Sequence, residues 1–564
     1  MYLLKNYLTV AIILIAGASC SSTNEAGSAR EQPSDPHSFA SLISEDFLRE
    51  QLYTFAGDAF EGRGTGQAGI EISADYVADF YREHGVLPLG DEGSYFQHFN
   101  LASFVTNSVT AELTSTAQDE PVTVYSESFS AASTATDFYR LSGGGQDFEG
   151  NVVFAGFGIT DESRSVDHLG EMDLTDKWVM VYSDIPFVVD GDTLVNPDAG
   201  GWQRVREILF NRAAGGLILI RNLDEDSHTQ DVEDFARLMG IPSGFSLPGN
   251  PPRGRFSVPI MSISPQRAAS MIGAESGLEA HYASLTSSIN TFEPVVLDYR
   301  LAVTSETVQQ DTPVKNIVGL IEGSHPELKN EYIVISAHYD HLGLSTPDAA
   351  GDFIYNGADD NGSGSVNLLA QARALMAARE AGAGPDRSII LLHVTAEEVG
   401  LLGSRYYSDN PTVPIGQIIA NINTDMIGRV DDTMAAEGVE DYVYIIGAEI
   451  ISSDLNDRLM EASEIRGNAL DLNMRFNDLD DRNQFYRRSD HWNFGRLGIP
   501  FIFFFSGVHA DYHQPGDSPD KITYGPYTKR VQLIYSTVIQ LANHPEVPVV
   551  DSQEFIRRTE VSPR

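Results

Sequence analysis

Across residues 332–337, 388–395, 418–422 and 501–505 the chain carries short, nearly continuous apolar runs. Runs of this length without alternation predict strands covered on both faces, the pattern of a parallel sheet. Between the first two, Leu368, Leu369, Ala372, Leu375 and Met376 recur at helical spacing over 365–379. Further helices are expected at 47–55, at 70–84, which stops at Gly85, and at 529–543. Strands alternating with helices predict an α/β domain whose mixed, largely parallel sheet is flanked by helices. A separate set of β-rich runs at 152–158, 178–183, 217–220 and 258–263 is punctuated by Gly, Pro and Asp and predicts a second unit. At 564 residues more than one domain is expected. The division is 41–125 with 295–545 for the main, discontinuous domain, 126–294 for the insert, and a loosely ordered tail over 546–564.

Charge and termini narrow the setting. Asp plus Glu number 80 against 37 Lys plus Arg, a net charge of −43, so nucleic acid is excluded as a partner, because phosphate binding needs Lys and Arg clusters. Lys5, an apolar stretch over 8–15 and the small residues Ala16 to Ser19 precede Cys20. That stretch is too short to span a bilayer and reads as a secretory signal. Cys20 is the only cysteine, which rules out an intrachain disulfide, and its position resembles the lipobox of bacterial lipoproteins. The expectation is a lipoprotein-type signal peptide over 1–20, a membrane anchor at lipidated Cys20 on the periplasmic or outer face of a cell envelope, and a flexible tether over 21–40. An ordinary cleaved signal is the alternative.

The chemistry-bearing residues sit at or just past the apolar runs: His338-Tyr339-Asp340, Asp359-Asp360, Glu397-Glu398, Asp425 and Tyr512-His513. In an open α/β sheet the C-terminal strand ends share one edge, so these scattered positions converge. Imidazole and carboxylate together suit zinc with a coordination position left open. Two His and three carboxylates suffice for two ions if one carboxylate bridges, and such an ion pair serves hydrolysis. Asp359 rivals Asp360, and would otherwise face solvent. His341 and His491 rival the other histidines, and otherwise line the cleft or bind structurally. His393, inside an apolar run, reads as a core histidine. The segment 357–364 is glycine-rich but lacks the lysine of a phosphate loop, and no Gly-x-Ser-x-Gly elbow is present.

The stretches Ile335-Ser-Ala-His-Tyr-Asp-His341, Asn356-Gly-Ala-Asp-Asp-Asn-Gly-Ser-Gly364, Ala396-Glu-Glu-Val-Gly-Leu-Leu-Gly-Ser404, Asn423-Thr-Asp-Met-Ile-Gly428 and Tyr512-His-Gln-Pro-Gly-Asp517 resemble, in order, the motifs of the co-catalytic zinc aminopeptidases. That family includes aminopeptidase Y, the secreted bacterial leucyl-type enzymes and, more distantly, glutamate carboxypeptidase II. The resemblance implies two Zn2+ bridged by Asp360, with Glu398 and His513 completing one site and His338 and Asp425 the other. It also implies Glu397 as general base, Asp340 as the carboxylate orienting His338, and Tyr512 as a donor to the oxyanion. Phe60-Glu-Gly-Arg-Gly-Thr-Gly66 resembles the same family's N-terminal region. Asp176-Lys-Trp178, Ala213 to Gly216 and Val258-Pro259 resemble a protease-associated domain, which implies either a lid or substrate filter or a passive insert. The expected activity is that of an exported exopeptidase releasing N-terminal residues of peptides. A carboxypeptidase or dipeptidase using Arg482, Arg487 or Arg488, and a non-catalytic surface binding protein, are the alternatives.

Overall fold

The computed structural model describes residues 35–142, 147–189, 191–196, 199–250, 258–348 and 350–561. The expected signal segment with Cys20, residues 21–34 of the expected tether and the last three residues of the tail lie outside the described residues. Among the described residues no helix is long and apolar enough to cross a membrane.

The apolar runs form the strands Tyr332–His338, Ser388–Val394, Ile418–Thr424 and Phe501–Phe505, buried almost throughout. They lie side by side and parallel, with Phe501–Phe505 next to Ile418–Thr424, then Tyr332–His338, then Ser388–Val394. Antiparallel neighbours flank them, Tyr442–Gly447 on one side and Val295–Ile321 on the other. Helices Ala68–Glu83, Gly364–Glu380 and Tyr524–Asn543 contribute to the main hydrophobic core, which includes Ile335, Leu391 and Ile422 of the sheet. The sheet is mixed, largely parallel and flanked by helices, as the runs predict.

Beyond Val295–Ile321 the same sheet continues through Phe148–Phe154, Trp178–Tyr182, Gly216–Ile220 and Ile260–Ile263, again parallel, and ends on the antiparallel Phe138–Ser142. This insert has its own core around Trp178, Met180 and Ile218. It also carries the helices Glu225–Arg237, Pro265–Ile272 and Leu278–Ser287.

The seam differs from the expected cuts at 125/126 and 294/295. Strand Phe96–Ser115 pairs along its length with Val295–Ile321, from Phe96 against Ile317 to Ser115 against Tyr299. One end of this ribbon, at Ile317, belongs to the main core, whereas Val109, Leu113, Leu301 and Val303 belong to the insert's core. The changeover therefore falls inside two continuous strands, where no composition break marks it.

The described residues nearest each terminus, 35–42 and 546–561, are more ordered than their composition implies. Residues Pro36–Leu42 already form a 3-10 turn, with Tyr535 donating its hydroxyl to the Pro36 carbonyl at 2.9 Å, so the tether ends short of residue 40. The tail forms helix Gln553–Thr559, capped by Ser552, and buries Phe555 with Val550 and Val561 against Ile451 and Phe501. A single aromatic anchor in a polar segment is too little pattern to reveal such docking. Phe555→Ala is expected to cost about 3 kcal/mol, as for other buried aromatics, read as an earlier urea midpoint and faster proteolysis within 545–561. The exposed Glu554→Ala should change neither.

Candidate metal centre

Strand register brings the donors to one edge. His338 ends its strand opposite Val394, and Ser336 lies opposite Asn423. The loops leaving these strands therefore carry Glu397, Glu398 and Asp425 away beside His338. Asp360 reaches the same point from the turn Ala358–Ser363, which leads into helix Gly364–Glu380. Gly357 begins that turn at φ +55°, and a Cβ there would stand 2.3 Å from the Asp360 carbonyl oxygen and 2.5 Å from the His341 ring. Three non-glycine residues of the site also hold positive φ: Ala396 before Glu397, Met426 after Asp425, and His513 itself. Strain of this kind persists where surrounding structure enforces it, commonly at functional sites.

Asp360 stands between two donor pairs. Its Oδ1 lies 3.4 Å from His338 Nε2, which is 3.3 Å from Asp425 Oδ1. Its Oδ2 lies 3.2 Å from His513 Nε2, which is 3.2 Å from Glu398 Oε2. Zinc bonds of about 2.0–2.1 Å in a tetrahedron place neighbouring donor atoms about 3.3–3.4 Å apart, so the spacing fits shared coordination. His338 Nε2, Asp425 Oδ1 and His513 Nε2 are buried with no hydrogen-bond partner, a costly arrangement that a cation would relieve. Donor chemistry, spacing and orphaned atoms all fit zinc. His341 also faces Asp360 and Glu398. Its Nδ1, however, is 2.7 Å from Glu398 Oε1, hydrogen-bond distance rather than co-ligand distance, which makes it an orienting partner.

The supporting contacts revise two expectations. The Nδ1 of His338 bonds the main-chain oxygen of Asp340 at 3.0 Å, while the nearer Asp340 carboxylate oxygen is 3.9 Å away. That carboxylate instead accepts from the backbone N–H groups of Glu397 at 3.1 Å and Glu398 at 3.3 Å and from the Thr65 hydroxyl at 3.1 Å. Asp340 thus fixes the Glu397–Glu398 loop as well as the imidazole, because the strand end turns its carbonyl toward His338. Asp359 does not face solvent. It is fully buried, accepts from Gly428 N at 2.6 Å and lies 3.4 Å from His509 Nε2.

Several partners carried no assigned role in the sequence. Asp517 accepts from the N–H groups of Asp359 and Asp360 at 3.0 Å, and Ser489 donates to Asp425 Oδ2 at 2.8 Å. Arg63, fully buried, donates to the carbonyls of Tyr339, Phe55, Asn356 and Gly357 at 2.8–3.1 Å. Arg63 and Asp517 do stand inside motifs legible as motifs, but the backbone groups they bond have no sequence signature. His393 is a satisfied core histidine, 2.8 Å from the Tyr81 hydroxyl. His491 bonds the Phe485 carbonyl and stacks on Phe503.

Burial raises Glu397 well above the usual carboxylate range against the pull of His338, with Asp490 and Asp425 adding repulsion. Asp340 is pushed up to about 6, chiefly by burial. Burial also acts to raise Glu398, but the hydrogen bond with His341 and the nearby His513 imidazole outweigh it and hold the group well below its ordinary value. Glu397, Glu398 and Asp360 open into a small cavity of about 50 Å³, walled by Met426, Phe485, Phe503, Phe505 and Val508. Tyr512 lines it too, with its ring stacked on that of His513 at 3.8 Å. Since Gly357 leaves no room for a methyl group behind Asp360, Gly357→Ala should weaken zinc binding by at least about tenfold, as changes beside metal ligands commonly do. Competition with a chromophoric chelator measures this, with circular dichroism expected to stay unchanged.

Residues 316–538, which contain every one of these donors, match peptidase family M28. A probable leucine aminopeptidase of Arthroderma otae is 24% identical over 324 residues, covering 55% of this chain and 83% of that protein. Leucine aminopeptidase 1 of Sclerotinia sclerotiorum is 27% identical over 225 residues, covering 38% of this chain and 54% of that protein. Among solved structures, a zinc aminopeptidase from Bacillus subtilis shares the fold at a TM-score of 0.51 with 17% identity, over 90% of this chain and 97% of its own. Residues 316–538, with the strand-end donors they carry, are thus the part of the chain that matches peptidase family M28, and the protein is a zinc metallopeptidase.

Proposed function

We propose that the protein is an exported, lipid-anchored aminopeptidase that holds two zinc ions and removes single apolar residues from peptide N-termini. The observation that carries the reading is the small cavity at Glu397, Glu398 and Asp360, one side of which is formed by Met426, Phe485, Phe503, Phe505 and Val508: that side suits one apolar side chain next to the reacting carbonyl. Relatives named leucine aminopeptidases support an apolar first residue. Export and anchoring rest on the signal-like segment and Cys20.

His338 and Asp425 would hold one ion, Glu398 and His513 the other, with Asp360 shared. Bound there, zinc supplies Lewis acidity toward the scissile carbonyl and its attacking water. Glu397, whose proton affinity burial has raised, takes a proton from that water as the C–O bond forms. It delivers the proton to the departing amine as the C–N bond breaks. Asp340 keeps Glu397 on station through the loop N–H groups. Tyr512, kept protonated chiefly by burial, with the nearby carboxylates adding to it, would donate to the oxyanion.

A carboxypeptidase reading keeps one supporting observation. Arg488 lines the small cavity, and a cation there would suit a released residue bearing a carboxylate. Arg482 and Arg487 do not line it.

Aminoacyl-p-nitroanilides assayed beside N-blocked peptides separate the readings. Release from free N-termini alone, fastest for Leu, Met or Phe, is the expected result, whereas cleavage of blocked peptides from their carboxyl end would replace it with the carboxypeptidase reading. Glu397→Gln should retain zinc at wild-type stoichiometry while kcat falls at least about a hundredfold, the usual scale of a lost general base. Loss of zinc together with activity would make Glu397 a ligand instead.

A further inference from the structure

A second and far larger cleft, about 720 Å³, opens from the other side of Glu398 and His341 and runs between the main domain and the insert. Its insert wall carries Phe235, Leu238, Met239 and Phe245, facing Leu344 and Val399 of the main domain. The wall is anchored. The strand Ser243–Ser246 pairs with Phe96–Ser115, Ser243 against Phe104 and Ser246 against Ala102, and Phe245 packs on the cluster that contains Ala396, the residue before Glu397. Glu398 lines both cavities, so the reacting bond sits where a small pocket meets a long cleft with an apolar stretch on its insert side.

We propose that the insert is a reader of sequence downstream of the cleaved bond: Leu238, Met239 and Phe245 receive apolar side chains at the second and third positions of the substrate, so the preferred substrates are short apolar peptides rather than any chain with a free terminus. The inference rests on the aminopeptidase reading, since that reading assigns the small cavity to the first residue and leaves the long cleft for the remainder. The stretch of wall at Phe235, Leu238, Met239, Ile241 and Phe245 is apolar and largely half-buried in a protein of net charge −43, where an unoccupied solvent face would be expected to be acidic. Burying an apolar side chain there gains selectivity that a polar one forfeits.

The test uses the zinc-loaded enzyme and two tetrapeptides, Leu-Leu-Leu-Gly and Leu-Ser-Ser-Gly, with leucyl-p-nitroanilide as a third substrate that lacks a downstream chain. The wild-type ratio of kcat/KM for the first peptide over the second should be about tenfold or more. Met239→Asp should bring it toward one, and Met239→Ser, a milder change that keeps the loop neutral, should lower it partway. A wild-type ratio near one, or a ratio unmoved by both variants in an enzyme that cleaves leucyl-p-nitroanilide, overturns this inference alone. Wild-type silence on all three free N-termini overturns the aminopeptidase reading and this inference with it.

Discussion

Mutual repulsion among buried carboxylates is the constraint on which the rest of the structure depends. Asp340, Asp359, Asp360, Asp425, Asp490 and Asp517 are each no more than 9% exposed, a concentration of charge that would be prohibitive without compensation. For Asp340, Asp359 and Asp517 the compensation comes largely from main-chain N–H groups. Asp340 binds the Glu397–Glu398 backbone, Asp517 the Asp359–Asp360 backbone, and Asp359 the Gly428 N–H. Carboxylates outside the donor set thereby hold the loops that carry the donors. Arg63 completes the scheme from the N-terminal segment: its charge offsets Asp517, Asp360, Asp340 and Glu398, and its N–H groups clasp the carbonyls of the 339 and 356–357 loops.

Asymmetry around the reacting position follows from which elements stand beside it. On one side the loop bearing Phe485 and the strand Phe501–Phe505 close a pocket in the main domain. On the other side nothing in the main domain closes the space, and the insert supplies the far wall. The small cavity is thus bounded by the main domain alone, and the longer cleft by the main domain and the insert together.

Legibility tracked how local each feature is. The strands were legible because an unbroken apolar run is itself the signature of a doubly covered strand, and the donors because motif and strand end coincide. Asp360 over Asp359 was legible only through family resemblance, since two adjacent acids look alike until the turn at Gly357 points them apart. The role of Asp340 was half legible: its position predicts contact with His338, but whether carbonyl or carboxylate makes that contact is decided by how the strand end turns. The domain seam and the docking of Phe555 were not legible, because a strand crossing between cores changes no local pattern and one buried aromatic in a polar tail has no periodicity.

The strand Val295–Ile321 enters both cores and is laddered to Phe96–Ser115 from Tyr299 to Ile317. Enzymes whose lobes meet through a flexible linker must surrender hinge freedom each time they close on a ligand, and that entropy is subtracted from affinity. Here the two lobes are cut from one hydrogen-bonded ribbon, so the gap between them is preorganised during folding. A peptide entering it meets walls already in register, and the same rigidity sets a ceiling on the girth of what can enter.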